Sequence, residues 1–285
     1  MFSLLRRYVR FHVGAANQLY DLLIAKTRGN TFCFLFNTMA ALRGVDVRFS
    51  FDPQARQYAT VSRCDPRKLA FCHEKQANMA YGKGISQRGD SLGKVYFLDR
   101  LEFADQDLVL DCGANVGDFL LWFQNRGLNI RYIGFEPSPK EFGCLSKNVS
   151  PHKAMNVGLW SEAGKLDFYV SSQFADSSLI EPPRYDEVIS VPVAPLSQYV
   201  SERVKLLKLE AEGAEPEILE GLGDKLEWVE YISADLGFER GKDAQSTLVP
   251  VVNYLLKKDF SLVDVSHGRI CALFRNNRKH QSVNG

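Results

Sequence analysis

The sequence lacks the features that mark membrane-spanning, secreted and repetitive proteins. The apolar run from Thr31 to Leu42 covers only 12 residues, which is too short for a helix that crosses a bilayer, and it follows too much polar chain to be a signal peptide. No internal repeat, low-complexity tract or G-x-S-x-G elbow occurs, so a Ser-His-Asp hydrolase is disfavoured. The six cysteines form no C-x-x-C pair: Cys33, Cys64, Cys72, Cys112, Cys144 and Cys271. Scattered cysteines predict reduced thiols in a cytoplasmic protein.

Charge is balanced over the whole chain but not along it. The net charge is +1, yet residues 1–100 hold 16 Lys+Arg and 7 Asp+Glu, a net of +9, whereas residues 101–285 hold 19 and 27, a net of −8. The first part is therefore a candidate face for an anionic partner, such as a membrane surface, a nucleotide-linked sugar or an acidic glycan. The alternative is that it complements the acidic part of the same protein. We predict no nucleic-acid partner.

Residues 1–28 alternate apolar and polar side chains at helical spacing, and Arg6, Arg7 and Arg10 cluster near their start. A basic amphipathic helix of this kind packs on its own protein or lies on anionic lipid. Peripheral contact with the inner face of a membrane is thus an alternative to a purely cytoplasmic location.

The most informative stretch is Leu108-Val-Leu-Asp-Cys-Gly-Ala-Asn-Val-Gly-Asp118, which joins an apolar strand to an apolar helix. Parallel strands deliver nucleotide-like ligands to helix N-termini in this way. Gly113 and Gly117 permit a sharp turn and a close approach of the ligand to the backbone. The next strand ends in Glu136, whose carboxylate can accept hydrogen bonds from both hydroxyls of a ribose. This order of elements predicts an adenosine-binding site.

Asn115 discriminates between two adenosine cofactors. A dinucleotide site has G-x-G-x-x-G, whose second glycine makes room for a pyrophosphate, and Asn115 stands in that place. The remaining G-x-x-x-G suits S-adenosylmethionine, which has no phosphates and carries an ammonium that Asp111 can hold. Gly158, in a strand predicted from Ala154 to Trp160, is a further place where an adenine ring can lie against the backbone. The alternative enzyme is a nicotinamide-dependent oxidoreductase. A second alternative is that the segment binds no cofactor and that its glycines serve only packing.

A second reactive cluster follows the predicted strand that begins at Val204. The stretch Val204-Lys-Leu-Leu-Lys-Leu-Glu-Ala-Glu-Gly-Ala-Glu215 ends in three acids around a glycine. Because ligands bind beyond the carboxyl ends of strands in a doubly wound sheet, Lys208, Glu210 and Glu212 are expected near the cofactor turn. Asp235 ends the next predicted strand at a comparable depth.

These acids allow two further interpretations. Glu212 and Glu215 precede a helix predicted to begin at Pro216, so both also suit compensation of the helix dipole. Carboxylates of Glu210, Glu212 and Asp235 are ligands that Mg or Ca accepts. The site that we predict contains no metal.

The strand order predicts the fold class. Strands predicted at Phe260 to Val265 and Arg269 to Phe274 are joined by so short a turn that they must be antiparallel. We predict an α/β protein with a Rossmann-like class I methyltransferase fold, in which a mostly parallel seven-stranded sheet ends in a C-terminal antiparallel hairpin and carries an N-terminal α+β extension. The predicted divisions are a basic extension or cap (1–90), a methyltransferase domain (91–275) and a disordered tail (276–285).

Four motifs carry a family resemblance: Val109-Leu-Asp-Cys-Gly-Ala-Asn-Val-Gly117, Gly134-Phe-Glu-Pro137, Asp176-Ser-Ser-Leu179 and Leu206-Leu-Lys-Leu-Glu-Ala-Glu-Gly-Ala-Glu215. Together they resemble the FkbM family of S-adenosylmethionine-dependent O-methyltransferases, over about Leu92 to Phe274. The resemblance implies methylation of a hydroxyl of a sugar or polyketide-type metabolite, and in many bacterial members polysaccharide biosynthesis, as in O-antigen. A non-catalytic glycan-binding or scaffold protein that kept the fold is the alternative from another class. The oligomeric state stays open.

The resemblance also implies roles for individual residues. The implied cofactor-binding residues are Asp111, Gly113, Asn115, Gly117 and Glu136, and the implied reaction centre contains Lys208, Glu210 and Glu212. Acceptor contacts are expected from Ser177, Ser178 and Asp235. We expect Glu210 or Glu212 to take the acceptor proton and Lys208 to orient the acid or the acceptor. The family's usual residue at 210 is Asp, so the longer Glu210 puts the reaction geometry in doubt.

Overall fold

The computed structural model describes residues 20, 23, 24, 26–171, 176–266 and 268–278. The predicted basic helix within residues 1–28 and most of the predicted tail lie largely outside these described residues. The chain divides into two compact units, Met1–Gly84 and Ile85–Gly285. The division predicted after residue 90 falls inside the helix Ile85–Val95, which belongs whole to the second unit.

The first unit is the α+β extension. Its described elements are α1 (Gly29–Leu42), β1 (Arg48–Asp52), β2 (Gln57–Val61), β3 (Ala70–Phe71) and α2 (Glu74–Tyr81). Alternating apolar and polar residues from Val45 to Val61 predict one or two strands separated by a turn at Asp52-Pro53. β1 and β2 pair as an antiparallel hairpin, and Asp52 accepts the backbone N–H groups of Gln54 and Ala55 at 2.9 and 3.1 Å. Stacked rings of Phe36 and Phe49, 3.8 Å apart between centroids, lie in its core.

The second unit is built on alternating helices and strands. Its described elements are α3 (Ile85–Val95), β4 (Leu108–Cys112), α4 (Leu120–Asn125), β5 (Arg131–Phe135), α5 (Pro139–Asn148), β6 (Lys153–Met155), β7 (Gly158–Leu159), β8 (Gly164–Val170), β9 (Glu187–Ala194), β10 (Val204–Leu209), α6 (Glu215–Leu222), β11 (Val229–Asp235), β12 (Phe238–Arg240), β13 (Gln245–Ser246), α7 (Leu248–Lys257), β14 (Phe260–Val265) and β15 (Cys271–Asn276). The apolar run Phe119-Leu-Leu-Trp-Phe123 predicts a helix that Gly127 can close in a left-handed cap. α4 ends at Asn125, and Gly127, two residues later, has a left-handed φ of 66°.

The main sheet confirms the predicted fold class. Seven described strands pair in the order β14-β15-β11-β10-β4-β5-β6, and only β15 runs against the others. All five residues of β4 are buried, and so are five of the six in β10. Strands covered on both faces require continuous apolar runs, which is why Leu108-Val-Leu and Leu206-Leu predicted a parallel sheet.

Two sequence-based predictions of elements are wrong. Ala154 to Trp160 is not one strand, because β6 edges the main sheet whereas β7 pairs with β9 in a separate three-stranded sheet. Between them the side-chain amide of Asn156 donates to the carbonyls of Glu136 and Pro137 at 2.9 and 3.0 Å, which draws the chain away from the sheet.

The second wrong prediction concerns the segment before β4. The sequence predicts a helix from Ser91 to Phe103, but α3 begins at Ile85 and ends at Val95. Its glycines are contact points with α4: a Cβ at Gly89 would lie 2.9 Å from Leu121, and one at Gly93 would lie 2.0 Å from the Trp122 ring. Small residues here let two helices approach closely, so glycines that suggest a loop in the sequence serve helix packing.

Every helix in the described ranges is too short or too polar to cross a membrane. No disulfide joins any of the six cysteines, all of which lie among the described residues.

Candidate active site

The carboxyl ends of β4, β10 and β11 meet at the middle of the main sheet. Lys208 of β10 stands opposite Asp111 of β4 on one side and Ser233 of β11 on the other. The chain leaves β4 toward β5 on one flank while β10 lies on the other, which creates the crevice where doubly wound sheets bind ligands. The cofactor turn and the acids after β10 are therefore brought together, as predicted.

The turn after β4 depends on residues that tolerate left-handed backbone. Gly113, Asn115 and Gly117 have φ values of 73°, 50° and 81°, and asparagine adopts this region more readily than most residues. A Cβ at Gly113 would lie 1.7 Å from the carbonyl oxygen of Glu210, and one at Gly117 would lie 2.6 Å from Val149. Gly113 is therefore required for β10 to continue alongside the turn.

Replacing Gly113 by alanine is expected to lower the free energy of unfolding by about 2–5 kcal/mol, from left-handed strain of about 1–2 kcal/mol plus overpacking of about 1–3 kcal/mol. Gly127→Ala is the matched control, because Gly127 has a similar φ of 66° but no neighbour within 4 Å of the added Cβ. Urea denaturation of both variants separates the two contributions. Equal losses would show that the contact with Glu210 costs nothing.

Glu136 joins the turn to the end of β5. Its two carboxylate oxygens accept the backbone N–H groups of Asn115 and Ser138, each at 2.9 Å. The side chain is nearly buried, and burial, followed by the charge of Glu141, raises its pKa to about 8. Each oxygen keeps lone-pair capacity for a further donor. The side-chain oxygen of Asn115 is buried without a hydrogen-bond partner among the described residues, so the turn presents acceptors for a ligand.

Lys208 lies in a buried ionic cluster. Its ammonium is 2.9 Å from Asp111 Oδ1, 3.0 Å from Glu210 Oε2 and 2.8 Å from the carbonyl oxygen of Gly113, to which it donates. Burial opposes its charge, but the two carboxylates outweigh burial and raise its pKa. The ammonium donates to Gly113 and forms ion pairs with both carboxylates, so Lys208 is placed to orient the acids.

Both carboxylate oxygens of Asp111, which we predict to hold the ammonium of the cofactor, have partners within the protein. Its carboxylate is fully buried, with Oδ1 paired to Lys208 and Oδ2 accepting the Tyr132 hydroxyl at 2.5 Å. Burial raises its pKa, against the lowering effect of Lys208. Asp111 therefore supports Lys208 from inside the sheet.

Arg269, which precedes β15, forms ion pairs with both Glu210 and Asp235. Burial would raise the pKa of Glu210, but Lys208 and Arg269 outweigh it and lower the value to about 2. Glu210 is thus a fixed anion between two cations. Arg269 also supplies, between Glu210 and Asp235, the positive charge that the alternative interpretation gave to a divalent metal.

Glu212 differs from Glu210 although it is only two residues away. Its backbone is left-handed, with φ of 50°, and among the described residues its side chain has no hydrogen bond or ion pair. Burial, followed by the charge of Glu239, raises its pKa well above the ordinary value. An unpaired carboxyl with a raised pKa is suited to accept a proton.

The remaining predicted site residues have structural contacts. Ser178 is buried and donates to the carbonyl oxygen of Glu212 at 2.8 Å, whereas the Ser177 hydroxyl accepts the N–H of Ser171 at 2.9 Å. Glu215 accepts the N–H of Ala211 at 2.9 Å and so holds the turn, as the alternative interpretation of a structural acid expects.

Gly158 is packed on the side where a Cβ would point. That Cβ would lie 3.1 Å from both Leu179 and Val193. Packing against these two side chains therefore explains the glycine.

Sequence reasoning missed Tyr96, Arg269 and Glu239. Arg269 could have been found, because the first residues of an antiparallel strand lie beside the carboxyl end of its neighbour. Tyr96 directly follows α3 and Glu239 lies in the short strand β12, and neither residue carries a signal in the sequence.

Comparison with known proteins identifies the family of this chain. The family model described as "Methyltransferase FkbM domain" matches residues 111–276. Methyltransferase 1 of Beauveria bassiana (strain ARSEF 2860) is 28% identical over 165 residues, which are 46% of this chain and 66% of that protein. The 31-O-demethyl-FK506 methyltransferase FkbM of Streptomyces tacrolimicus is 25% identical over 169 residues, 46% of this chain and 65% of that protein. The chain thus matches slightly less than two thirds of these relatives.

Among solved structures, a methyltransferase FkbM from Methylobacillus flagellatus KT is 16% identical with a TM-score of 0.46, over 67% of this chain and 50% of that one. The family model covers more than half of the 285 residues. The chain therefore belongs to the FkbM methyltransferase family.

Proposed function

We propose that the protein transfers a methyl group from S-adenosylmethionine to a hydroxyl of a sugar, in a surface polysaccharide or its precursor. The observation that carries the proposal is the unpaired carboxyl of Glu212 at the same sheet edge as the cofactor turn. The relative from Streptomyces tacrolimicus is named as a 31-O-demethyl-FK506 methyltransferase, a name that describes methylation at an oxygen. This name supports a hydroxyl acceptor. The sugar is the acceptor class that the motifs imply.

The residues of the turn fit this cofactor. S-adenosylmethionine supplies a sulfonium-bound methyl group: on transfer the S–CH3 bond breaks with its electron pair on sulfur, and an O–CH3 bond forms. Glu136 is placed to accept the ribose hydroxyls, and the unpartnered Asn115 oxygen offers an acceptor to a donor of the ligand. Gly113 and Gly117 keep the backbone open to close approach.

Glu212 is the residue that takes the acceptor proton. A sugar hydroxyl is a poor nucleophile, and a positioned base contributes about 10²–10⁴-fold to the rate. The pKa of Glu210, lowered to about 2, makes that carboxylate too weak a base. Lys208 and Arg269 hold Glu210, and Asp111 holds Lys208, so these residues fix the turn that carries Glu212.

The test is transfer of label. The protein is incubated with S-adenosylmethionine labelled in its methyl group and with glycans and nucleotide sugars extracted from the source organism, and mass spectrometry locates the label. We expect one methylated sugar oxygen. Cofactor binding without label on any hydroxyl would overturn the proposal and favour a non-catalytic glycan-binding role.

Cofactor affinity is expected to rise with pH up to about 8. Ribose hydroxyls donate to the ionised carboxylate of Glu136, whose pKa in the free protein is about 8, so binding at lower pH must first release a proton. Each pH unit below that pKa therefore raises Kd about tenfold. Calorimetry in buffers of different ionisation enthalpy measures both Kd and the released proton. Glu136→Gln should bind more weakly and lose this pH dependence; an unchanged slope would contradict the assignment.

A further inference from the structure

The first unit contains a helix, α1, that has no charged side chain. None of the 14 residues of Gly29–Leu42 is Lys, Arg, Asp or Glu. One face of the helix is fixed on the sheet by stacking of Phe36 on Phe49. The side-chain amide of Asn37 fixes it further, because it donates to the carbonyl oxygen of Phe49 at 2.8 Å and accepts the N–H of Phe49 at 2.7 Å. These contacts determine which side chains of α1 point away from the sheet.

The outer face of α1 consists of exposed residues that recur at helical spacing: Thr31, Phe34, Thr38, Ala41 and Leu42. Phe34 is 69% exposed and Leu42 is 77% exposed. The Thr38 hydroxyl donates to the carbonyl oxygen of Phe34 at 2.8 Å, so this polar group is satisfied within the helix. The outer face of a surface helix ordinarily carries charged and polar side chains, so an apolar one indicates a surface that a partner covers.

Basic side chains flank the outer face of α1 at both ends. Arg28 precedes the helix and Arg43 follows it, and both are exposed. From residue 22 to residue 45 the chain has no acid, and its third basic residue is the exposed Lys26. An apolar strip between cations matches a partner whose apolar layer lies beneath anionic groups.

The acids of the first unit do not offset this positive charge. Residues 26–84 hold 10 Lys+Arg and 4 Asp+Glu, a net charge of +6. Each of the four acids accepts a hydrogen bond inside the unit: Asp46, Asp52, Asp65 and Glu74. The electrostatic field around the unit is therefore positive, which favours an anionic partner.

We propose that the outer face of α1 lies in the surface of a membrane that contains anionic phospholipids. The two large apolar side chains enter the boundary of the acyl chains, and the flanking arginines contact the lipid phosphates. A helix of 14 residues is about 21 Å long, shorter than an apolar core of about 30 Å, so it lies along the membrane and does not cross it. Membrane binding of this kind does not depend on the methyl transfer proposed for the second unit.

The charges disfavour a second copy of this chain as the partner. In a two-fold contact the same surface meets itself, so two antiparallel α1 helices would bring Arg28 of each copy close to Arg43 of the other. Like charges repel, and no acid lies between residues 22 and 45 to compensate them. Anionic phospholipids supply the missing negative charge together with an apolar layer.

The test is co-sedimentation of the full-length protein with sucrose-loaded vesicles at low salt. Vesicles of phosphatidylcholine alone are compared with vesicles of equal parts phosphatidylcholine and phosphatidylglycerol. We expect binding to the mixed vesicles, little binding to the neutral ones, and release of the protein as salt rises, because salt screens the attraction. Equal binding to both kinds of vesicle, or binding to neither, would overturn the proposal.

Two variants locate the contact on α1. Phe34→Gln should lower partitioning onto the mixed vesicles about tenfold, because the apolar area of the ring no longer leaves water on binding. Arg28→Gln should lower it about fivefold, the contribution of one basic residue near an anionic surface. Val249→Gln is the matched control for the apolar change, because Val249 is 67% exposed on α7 of the second unit. This variant should bind as the wild type does.

The remaining outcomes identify other contacts. If Phe34→Gln binds the mixed vesicles as well as the wild type does, the membrane contact lies elsewhere, for example in residues 1–28, and the role of α1 is wrong. If light scattering shows a wild-type dimer that Phe34→Gln dissociates while neither protein binds vesicles, a second copy covers the outer face, which also overturns the proposal. Unfolding temperatures equal to that of the wild type establish that weaker binding by a variant is not a folding defect.

Discussion

Glu212→Gln is expected to reduce the rate of methyl transfer by about 10²–10⁴-fold, the contribution of a positioned general base. Glutamine keeps the shape of the side chain but cannot take the acceptor proton. Because the Glu212 side chain has no hydrogen bond or ion pair among the described residues, the change removes no observed contact of the fold. Cofactor affinity, which depends on the turn after β4 and on Glu136, should stay within about twofold.

The pH dependence gives this prediction a second measurement. The pKa of Glu212 lies well above its ordinary value, and a base acts only when it is ionised. Wild-type kcat should therefore rise with pH as Glu212 loses its proton, and the residual rate of Glu212→Gln should not follow that rise. The matched control is Glu220→Gln, an exposed acid on α6, which should behave as wild type. Full activity in Glu212→Gln would show that Glu212 is not the base that takes the acceptor proton.

The meeting of the cofactor turn with the acids after β10 could be predicted from the sequence. Apolar runs that end in acids predict parallel strands, and carboxyl ends of parallel strands share one edge. The sequence does not show which of these acids form ion pairs with Lys208 and Arg269. Glu210 and Glu212 have the same side chain two positions apart, yet only Glu210 contacts Lys208 and Arg269. Glu212 also differs from Glu210 in its left-handed backbone, with φ of 50°.

The residues that sequence reasoning missed depend on packing between distant segments. Tyr96 follows α3, whose start was predicted too late because Gly89 suggests a loop when its contact with α4 is unknown. Glu239 reaches the site only because Gly213 leaves room for Arg240. The residues next to a glycine in the sequence do not show whether that glycine lies in a turn, in a contact between helices or in a contact with a hairpin. The sequence alone could therefore not distinguish these three cases.

Lys208→Met is expected to destabilise the second unit by about 3–5 kcal/mol, since removal of one partner of a buried ion pair leaves the other charge uncompensated. The carboxylate left without a cation is that of Asp111, whose side chain is fully buried, whereas Glu210 keeps its ion pair with Arg269. Methionine has a similar length and fills the apolar part of the space. Loss of the cation should also raise the pKa of Asp111 further, because Lys208 lowers it at present.

The control for this variant lies on the same strand. Lys205→Met breaks a pair with Glu230, but Glu230 keeps its ion pair with the exposed Arg203, so the remaining acid stays compensated and the loss should stay near about 1 kcal/mol. Urea denaturation near neutral pH measures both variants. In the double variant Lys208→Met with Asp111→Asn, the uncharged amide still accepts from Tyr132, and we expect part of the lost free energy to return. If the Lys208 variant is no less stable than the Lys205 variant, the buried carboxylates are already neutral. The inference that ion pairs with Lys208 stabilise the site would then be wrong.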